Sequence, residues 1–403
     1  MNQSARVRLG IIGIGGRALG LMDSIASIDE FVITGLCDIR PECCENGLKW
    51  LREHDYPTVP FTCTDARELL DPERIDAVII ATSWNEHVEL AIAAMEAGIP
   101  VGFEVGGASS LDQCWELVKT YERTRTPCMM LENCCFGRYE MAVLRMIRDG
   151  LFGEVVHCEG GYQHFLGKYI VSPESLESGH QRSFHHMHRN GELYPTHEIG
   201  PISKYLNINR GNRFLTLSSF ASKAASLNAL ARENFGEAHE PFMLGDFVTT
   251  VLKCAGGETV MIAHDTSLPR PYSRGNVVHG TRGIWMEINH SIYIEGMSPE
   301  SDKWEDIAPY LEKYDHPIWK QFLADGVQGG HDGMDYLELK AFAHSVINGV
   351  GFPLDVYDAA CWMAITILSE NSVAMGGAPQ PFPDFTNGKW VRREPLPDTP
   401  YLP

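Results

Sequence analysis

The sequence predicts an α/β domain built on a parallel sheet, followed by an α+β domain with a large, mostly antiparallel open sheet. Three observations predict it. An apolar run at residues 9–14 meets the glycine turn Gly13-Ile14-Gly15-Gly16-Arg17-Ala18 and then an amphipathic segment. Up to residue 132, short continuously apolar segments alternate with helical ones, as in a parallel sheet covered on both faces. Beyond residue 154, strand-like segments follow one another through glycine-containing turns, which favours antiparallel pairing. The expected division is residues 1–132 and 133–403, with the C-terminal helices and tail packing back on the first domain.

Residues 7–38 read as strand, glycine turn, helix, strand and carboxylate. Gly13, Gly15 and Gly16 let backbone amides and the positive end of a helix approach a pyrophosphate, and Ala18 permits close packing of helix on strand. Asp38 stands about 20 residues beyond the turn, where a carboxylate takes ribose hydroxyls and repels a 2′-phosphate. This is the pattern of a Rossmann dinucleotide-binding domain that prefers NAD. Residues 41–54 and 65–70 read as helical. Residues 75–82 form a buried strand that ends in Ser83-Trp84-Asn85-Glu86-His87, and a helix follows over 88–97. A strand over 100–104 ends at Glu104-Val105, a helix covers 111–125, and a strand over 128–131 ends at Glu132-Asn133. In an open parallel sheet ligands sit beyond the carboxyl ends of the strands, so Trp84, His87, Glu104, Val105 and Asn133 are expected at the cofactor.

Past a helix at 139–149, residues 154–164 alternate like a strand. Further strands are expected at 213–221, 246–254, 259–265, 276–280, 283–288 and 291–295. Helices over 334–348 and 356–375 close the chain, stopped by Gly349 and Gly376. The proline-rich tail 394–403 reads as an extended surface strap.

The 403 residues carry 33 Lys and Arg against 53 Asp and Glu, a formal net charge of −20, which excludes a partner that needs a basic face, such as nucleic acid or an anionic membrane. There is no run of 18 apolar residues to span a bilayer. The start MNQSARVRLG enters the first strand with no apolar export segment, which predicts a cytoplasmic protein. Eleven cysteines, an odd number without a CxxC, read as reduced core residues.

The densest chemical stretch of the second half is 189–201, where Tyr194 and His197 flank Pro195 at a helix start and can aim at one point. Tyrosine and histidine suit proton transfer on a sugar near neutral pH. Tyr162, Arg182 and Tyr272 lie among polar and glycine residues and are read as lining a carbohydrate pocket. The cluster Phe184-His185-His186-Met187-His188 lacks a structural zinc spacing and reads as a solvated loop or one at the rim of an active site, so no metal is assigned. Asp332 is read as the cap of the following helix and His331 as a ligand contact.

On these residues the chain resembles the glucose-fructose oxidoreductase, inositol dehydrogenase and MocA superfamily. More narrowly, LEN (131–133), GGYQH (160–164), GELYPTH (191–197), NINRGNR (207–213), SSFASKA (218–224), HDTSLPRPY (264–272), YDHP (314–317), GMDY (333–336), PLDVYD (353–358) and PDFTNGKW (383–390) resemble glycoside hydrolase family 109, the NAD-dependent α-N-acetylgalactosaminidases. The resemblance spans residues 7–390. It implies NAD contacts from Gly16, Arg17, Asp38, the 84–87 loop, Glu104, Val105, Asn133 and Arg182, and sugar contacts from Tyr162, Tyr194, His197 and Tyr272. It also implies a homo-oligomer, either a dimer or a tetramer. Dehydrogenases of the superfamily usually carry lysine where Val105 stands, so the proton chemistry falls to His197 and Tyr194, with Tyr162 as a further base.

The resulting expectation is cleavage of a terminal hexoside through transient oxidation at C3, elimination across C1 and C2, addition of water and re-reduction. The scheme differs from the usual pair of glycosidase carboxylates. The alternatives are a sugar dehydrogenase with net oxidation and a non-catalytic NAD-binding sugar sensor.

Overall fold

The computed structural model describes residues 6–177, 181–236, 239–393 and 399–403. The chain divides into two compact units. The first comprises Met1–Gly137, His316–Ala360 and Glu394–Pro403, and the second Arg138–Asp315 and Cys361–Arg393. Among the described residues no helix is long and apolar enough to cross a membrane.

In the first unit, strands β1 (Val7–Ile12), β2 (Phe31–Cys37), β3 (Phe61–Cys63), β4 (Ala77–Ile80), β5 (Val101–Glu104) and β6 (Cys128–Leu131) form one sheet in the order β3-β2-β1-β4-β5-β6. Every pair is parallel. The order reverses between β1 and β4, and the carboxyl ends there are where an open α/β sheet offers a crevice. The short edge strand β3, absent from the sequence reading, makes six strands rather than five; three residues carry too little periodicity to be seen. The strands are apolar on both faces because helices such as Gly16–Ala26 and Met334–Asn348 cover them, and Leu9, Ile11, Ile79 and Val101 are fully buried.

The second unit is organised around β7 (Val155–Gln163). With β8 (Phe214–Ala221), β9 (Val248–Cys254), β10 (Thr259–Asp265), β11 (Val277–Gly280), β12 (Gly283–Met286), β13 (Ser291–Ile294), β14 (Glu305–Asp306) and β15 (Gln380–Pro381) it forms a nine-stranded sheet, β14-β13-β12-β11-β7-β10-β9-β8-β15. All pairs are antiparallel except β7 with β10, whose parallel register sets His264 beside Tyr162. The helix Thr196–Tyr205 crosses β7 at Gly160, where an added Cβ would lie 2.7 Å from the Glu198 Cβ. Glycine is required there by contact rather than by backbone angle.

Two local expectations are overturned. Residues 184–188 belong to the helix Gln181–His188, not to a loop, and His185 and His186 are buried in it; His186 meets Thr266 and the His264 ring, distant in sequence, which a local reading does not see. Asp332 does not cap the helix Met334–Asn348. The cap position is Gly333, without a side-chain bond, while Asp332 itself adopts φ 55°. Of the tail, residues 394–398 lie outside the described residues; Tyr401 is half-buried against the His344 ring and Pro403 is buried. All eleven cysteines are free and buried.

Candidate active site

In the first unit the glycine turn is shaped by close approach. Gly13 has φ 87°, and a Cβ there would lie 2.7–2.8 Å from the backbone of Ala81 and Thr82 at the end of β4. Gly15 caps the helix Gly16–Ala26 without a side-chain bond, and its first turn holds no acidic residue. A Cβ added at Gly15 or Gly16 would meet nothing within 4 Å. The helix therefore presents uncapped N–H groups to open space, which suits an anion. Beside it Asp38, at the end of β2, accepts hydrogen bonds from the Ile14 N–H (2.8 Å) and the Arg40 N–H (2.9 Å), which orient its carboxylate. An uncapped helix start, an open glycine cradle and a carboxylate at this strand end fit the pyrophosphate and ribose of NAD.

The ends of β4 and β5 lock together. The Trp84 indole packs on Gly106, whose φ is 85° and whose added Cβ would lie 3.1 Å from the ring. His87 is buried under Gly107, and its Nε2 lies 3.1 Å from the Thr82 carbonyl. Burial lowers its pKa, so the ring is neutral and donates from Nε2. Val105 is also buried and offers only backbone to a ligand. Glu104 accepts from Arg17 Nε at 2.7 Å, and Asn133, 3% exposed, donates from Nδ2 to Asp335 at 2.7 Å. Asp335 also receives Arg17 from two nitrogens, at 2.7 and 3.1 Å. Neither Asp335 nor Glu338, one turn further on, was singled out by the sequence; GMDY served only as a motif.

In the second unit Tyr162, Tyr194, His197, Tyr272 and Arg182 converge. Tyr162 lies at the end of β7 in the buried row Cys158, Gly160, Tyr162. Tyr194 sits two residues ahead of the helix Thr196–Tyr205 and His197 in its first turn. The Tyr162 ring centroid is 4.5 Å from Tyr194, 5.6 Å from His197 and 6.2 Å from Tyr272, and Tyr194 meets His197 edge-on at 5.0 Å. The Arg182 guanidinium lies 4.7 Å from the Tyr194 ring centre and 5.7 Å from that of Tyr162, within cation–π range. Burial opposes its charge, but the two phenols beside it hold its pKa above the ordinary value. Expected with the cofactor set, Arg182 lies in this aromatic cluster.

Three histidines complete the cluster. His164 Nδ1 is 3.2 Å from the Tyr162 hydroxyl, and its ring is 5.0 Å from Tyr272. Burial, with Arg182 and His197 nearby, lowers its pKa, leaving a neutral proton acceptor. Below it His186 places Nδ1 2.6 Å from the Arg182 carbonyl and Nε2 2.8 Å from the Thr266 hydroxyl. Since burial pushes its pKa down to about 3, the ring is neutral: Nδ1–H donates and Nε2 accepts from the hydroxyl. His264 is fully buried and likewise held neutral.

The loop before Tyr194 is pinned to the helix Val356–Ala374. Arg189 pairs with Glu370 at 2.6 and 2.8 Å, the Glu192 N–H donates to Ser369 Oγ at 2.7 Å, and the Tyr194 N–H donates to Glu192 Oε1 at 3.2 Å. Gly191 permits this approach, because a Cβ would lie 2.7 Å from Ser369 Oγ.

Comparison with known proteins matches two parts of the chain to two families. Residues 7–131 match the oxidoreductase family with an NAD-binding Rossmann fold, and residues 136–392 match the C-terminal domain of glycosyl hydrolase 109. A glycosyl hydrolase family 109 protein of Stenotrophomonas maltophilia is 42% identical, over 97% of this chain and 91% of its own length. The α-N-acetylgalactosaminidase of Tannerella forsythia is 41% identical, over 96% and 88%. Among solved structures, a levoglucosan dehydrogenase in complex with NADH gives a TM-score of 0.72 at 18% identity, covering 94% of this chain and 99% of its own. An inositol dehydrogenase homologue from Azotobacter vinelandii with NAD+ gives 0.69 at 18%, covering 94% and 98%. These two share the fold.

Proposed function

The chain belongs to glycosyl hydrolase family 109 and is an NAD-dependent glycosidase, and from that premise we propose that it releases a terminal N-acetylgalactosamine or closely related hexose by transient oxidation, with His197, Tyr162 and Tyr194 as its proton-handling residues. The observation that carries this reading is the convergence of Tyr162, Tyr194 and His197 within ring separations of 4.5–5.6 Å, beside the Arg182 guanidinium. The dinucleotide is held by the Gly13–Gly16 turn, Arg17, Asp38, the ends of β4 and β5, and Asn133.

Bound NAD supplies a reversible two-electron acceptor for one ring carbon of the sugar, C3 in this reading. His197 takes the proton of the C3 hydroxyl as that carbon becomes a ketone. The ketone acidifies the C2 hydrogen, because the electron pair left behind is delocalised as an enolate. Tyr162, its oxygen 3.2 Å from the neutral His164 Nδ1, hands its own proton to His164 and then takes the one on C2. Arg182 offsets the negative charge on the phenolate. The enolate expels the C1 oxygen substituent, which takes its proton from the Tyr194 hydroxyl, and water adds at C1, giving up a proton to the Tyr194 oxygen. Tyr162 returns a proton to C2 and recovers its own from His164, and His197 returns one to the C3 oxygen as the ketone is reduced. Aryl α- and β-hexosides offered in D2O test this directly. Deuterium at C2 of the released sugar supports it; hydrolysis without exchange, or absorbance at 340 nm that grows in step with substrate, overturns it.

The assembly proposed is a dimer or tetramer formed through the face of the nine-stranded sheet opposite its covering helices. Support comes from Val251, exposed on that face with Met261 beside it in register. Light scattering on V251D tests it: the variant should become monomeric, and an unchanged oligomer would exclude this face.

A further inference from the structure

Asp335 stands in the first turn of the helix Met334–Asn348 with its side chain 1% exposed. Its Oδ1 accepts from Arg17 Nη2 (3.1 Å) and Asn133 Nδ2 (2.7 Å), and its Oδ2 accepts from Arg17 Nη1 (2.7 Å) and pairs with His331 Nδ1 (2.9 Å). One carboxylate thus gathers donors from the helix behind the glycine turn, from the end of β6 and from the segment before its own helix. These donors hold its pKa well below the usual carboxylate range despite burial, and His331 is raised in return. Arg17 is clamped from both sides, since its Nε donates to Glu104 at 2.7 Å. Glu338, one turn on, is fully buried, and neither of its carboxylate oxygens has a hydrogen-bond partner among the described residues. Burial and the carboxylates Asp335 and Glu104 keep it a neutral acid, so Asp335 is the charge that holds Arg17 from this helix.

A bidentate arginine–carboxylate pair fixes the plane of the guanidinium as well as its position. Three of the five Arg17 N–H groups are used in this clamp, which leaves two for a ligand. Asn133 donates one of its two amide hydrogens in the same way. Side chains ordered before a ligand arrives lose less entropy when it binds.

We propose that Asp335 is a positioning residue of the nucleotide site: it sets the affinity for NAD through Arg17 and Asn133, which it holds in their binding orientation. The inference rests on the reading of Arg17 and Asn133 as cofactor contacts. Calorimetric titration of NAD into the full-length protein stripped of nucleotide tests it with D335N, R17A and the double variant, and the melting temperature and circular dichroism of each report folding. D335N should weaken NAD binding by about tenfold or more, as the loss of a charge-assisted contact predicts, while retaining its secondary structure. R17A should do the same, and the double variant, which keeps only the route through Asn133, should lose clearly less than the product of the two single losses. A purely structural role would instead give independent losses that multiply, and that result overturns the proposal. Where D335N does not fold, D335E keeps the charge but moves the carboxylate by one methylene, and unchanged affinity in D335E overturns it equally. If R17A alone leaves affinity unchanged, the assignment of Arg17 to the cofactor has failed and the inference fails with it; if R17A weakens binding and D335N does not, the inference alone has failed.

Discussion

His197 and Tyr194 are the residues on which the proposed chemistry is most exposed to test. H197A and Y194F should each lower kcat by at least about 10²-fold, as expected for groups that transfer protons in the transition state. Steady-state assays on an aryl glycoside measure this, and a loss below about tenfold in either variant would remove that residue from the proton path. Glu192, two residues before Tyr194, affects stability. Burial pushes its pKa up to about 8. An unfolded glutamate titrates near about 4.3, so the folded chain retains a proton the unfolded chain has lost, and stability falls as pH rises from about 4.3 towards 8. E192Q cannot ionise and removes that slope. Its urea midpoint, relative to the parent protein, should therefore improve between pH 5 and pH 8, and an offset equal at both values would show that Glu192 is ionised in the fold. The slope has the same sign for His331, whose pairing with Asp335 raises its pKa. That contribution is fully present below about pH 6.5 and is lost as pH rises through the raised value.

At the scale of elements, the helix Thr196–Tyr205 and strand β7 fix the geometry of the aromatic cluster, because one carries His197 and the other Tyr162. Their approach depends on Gly160. G160A would drive a methyl group to 2.7 Å from the Glu198 Cβ and force the helix off the strand. Overpacking of this kind typically destabilises by about 1–3 kcal/mol, and the displaced helix carries His197 with it. G160A should therefore lose activity beyond what its stability loss explains, measured as kcat at a temperature where the variant remains folded. Full kcat in a folded G160A would show that the cluster tolerates movement of the helix. Part of this was legible in the sequence: GGYQH and GELYPTH both appeared as motifs, and Tyr194 and His197 were placed at a helix start. The crossing was not, since neither segment by itself indicates which strand the helix meets. The helix Gln181–His188 escaped for the same reason: a run of histidines reads as polar, and only neighbours from elsewhere, such as Phe242 and Leu227 beside Met187 or Thr266 beside His186, make part of it buried.

At the scale of the whole molecule, NAD binding and folding are linked. A ligand that binds only the native state stabilises it by about 2.7 kcal/mol at 100 times its Kd. NAD should raise the melting temperature in a concentration-dependent way, whereas NADP should raise it less if, as proposed, Asp38 faces the ribose and meets the 2′-phosphate. Equal shifts with the two dinucleotides would show that Asp38 does not face the ribose. D38S should narrow the difference between them.

The long elements and ordered motifs along the chain were determined by the sequence alone. Strand and helix periodicity predicted a parallel sheet followed by a mostly antiparallel one, the glycine turn with Asp38 pointed to NAD, and long ordered motifs identified the family. Short elements such as β3 and the helix around His185 fell below what local periodicity can register. Tertiary structure decided which side chains meet and in which protonation state. Arg17 and Asp335 are 318 residues apart in sequence, yet they share a partly buried ion pair. Likewise, Tyr162, His164 and Arg182 form one cluster although strand β7 and the helix Gln181–His188 are separate segments of the chain. Pairing at that separation leaves no periodic trace. The neutral state of His186 and Glu338, or the charge of Asp335, follows from desolvation and neighbouring charges that exist only in the folded chain.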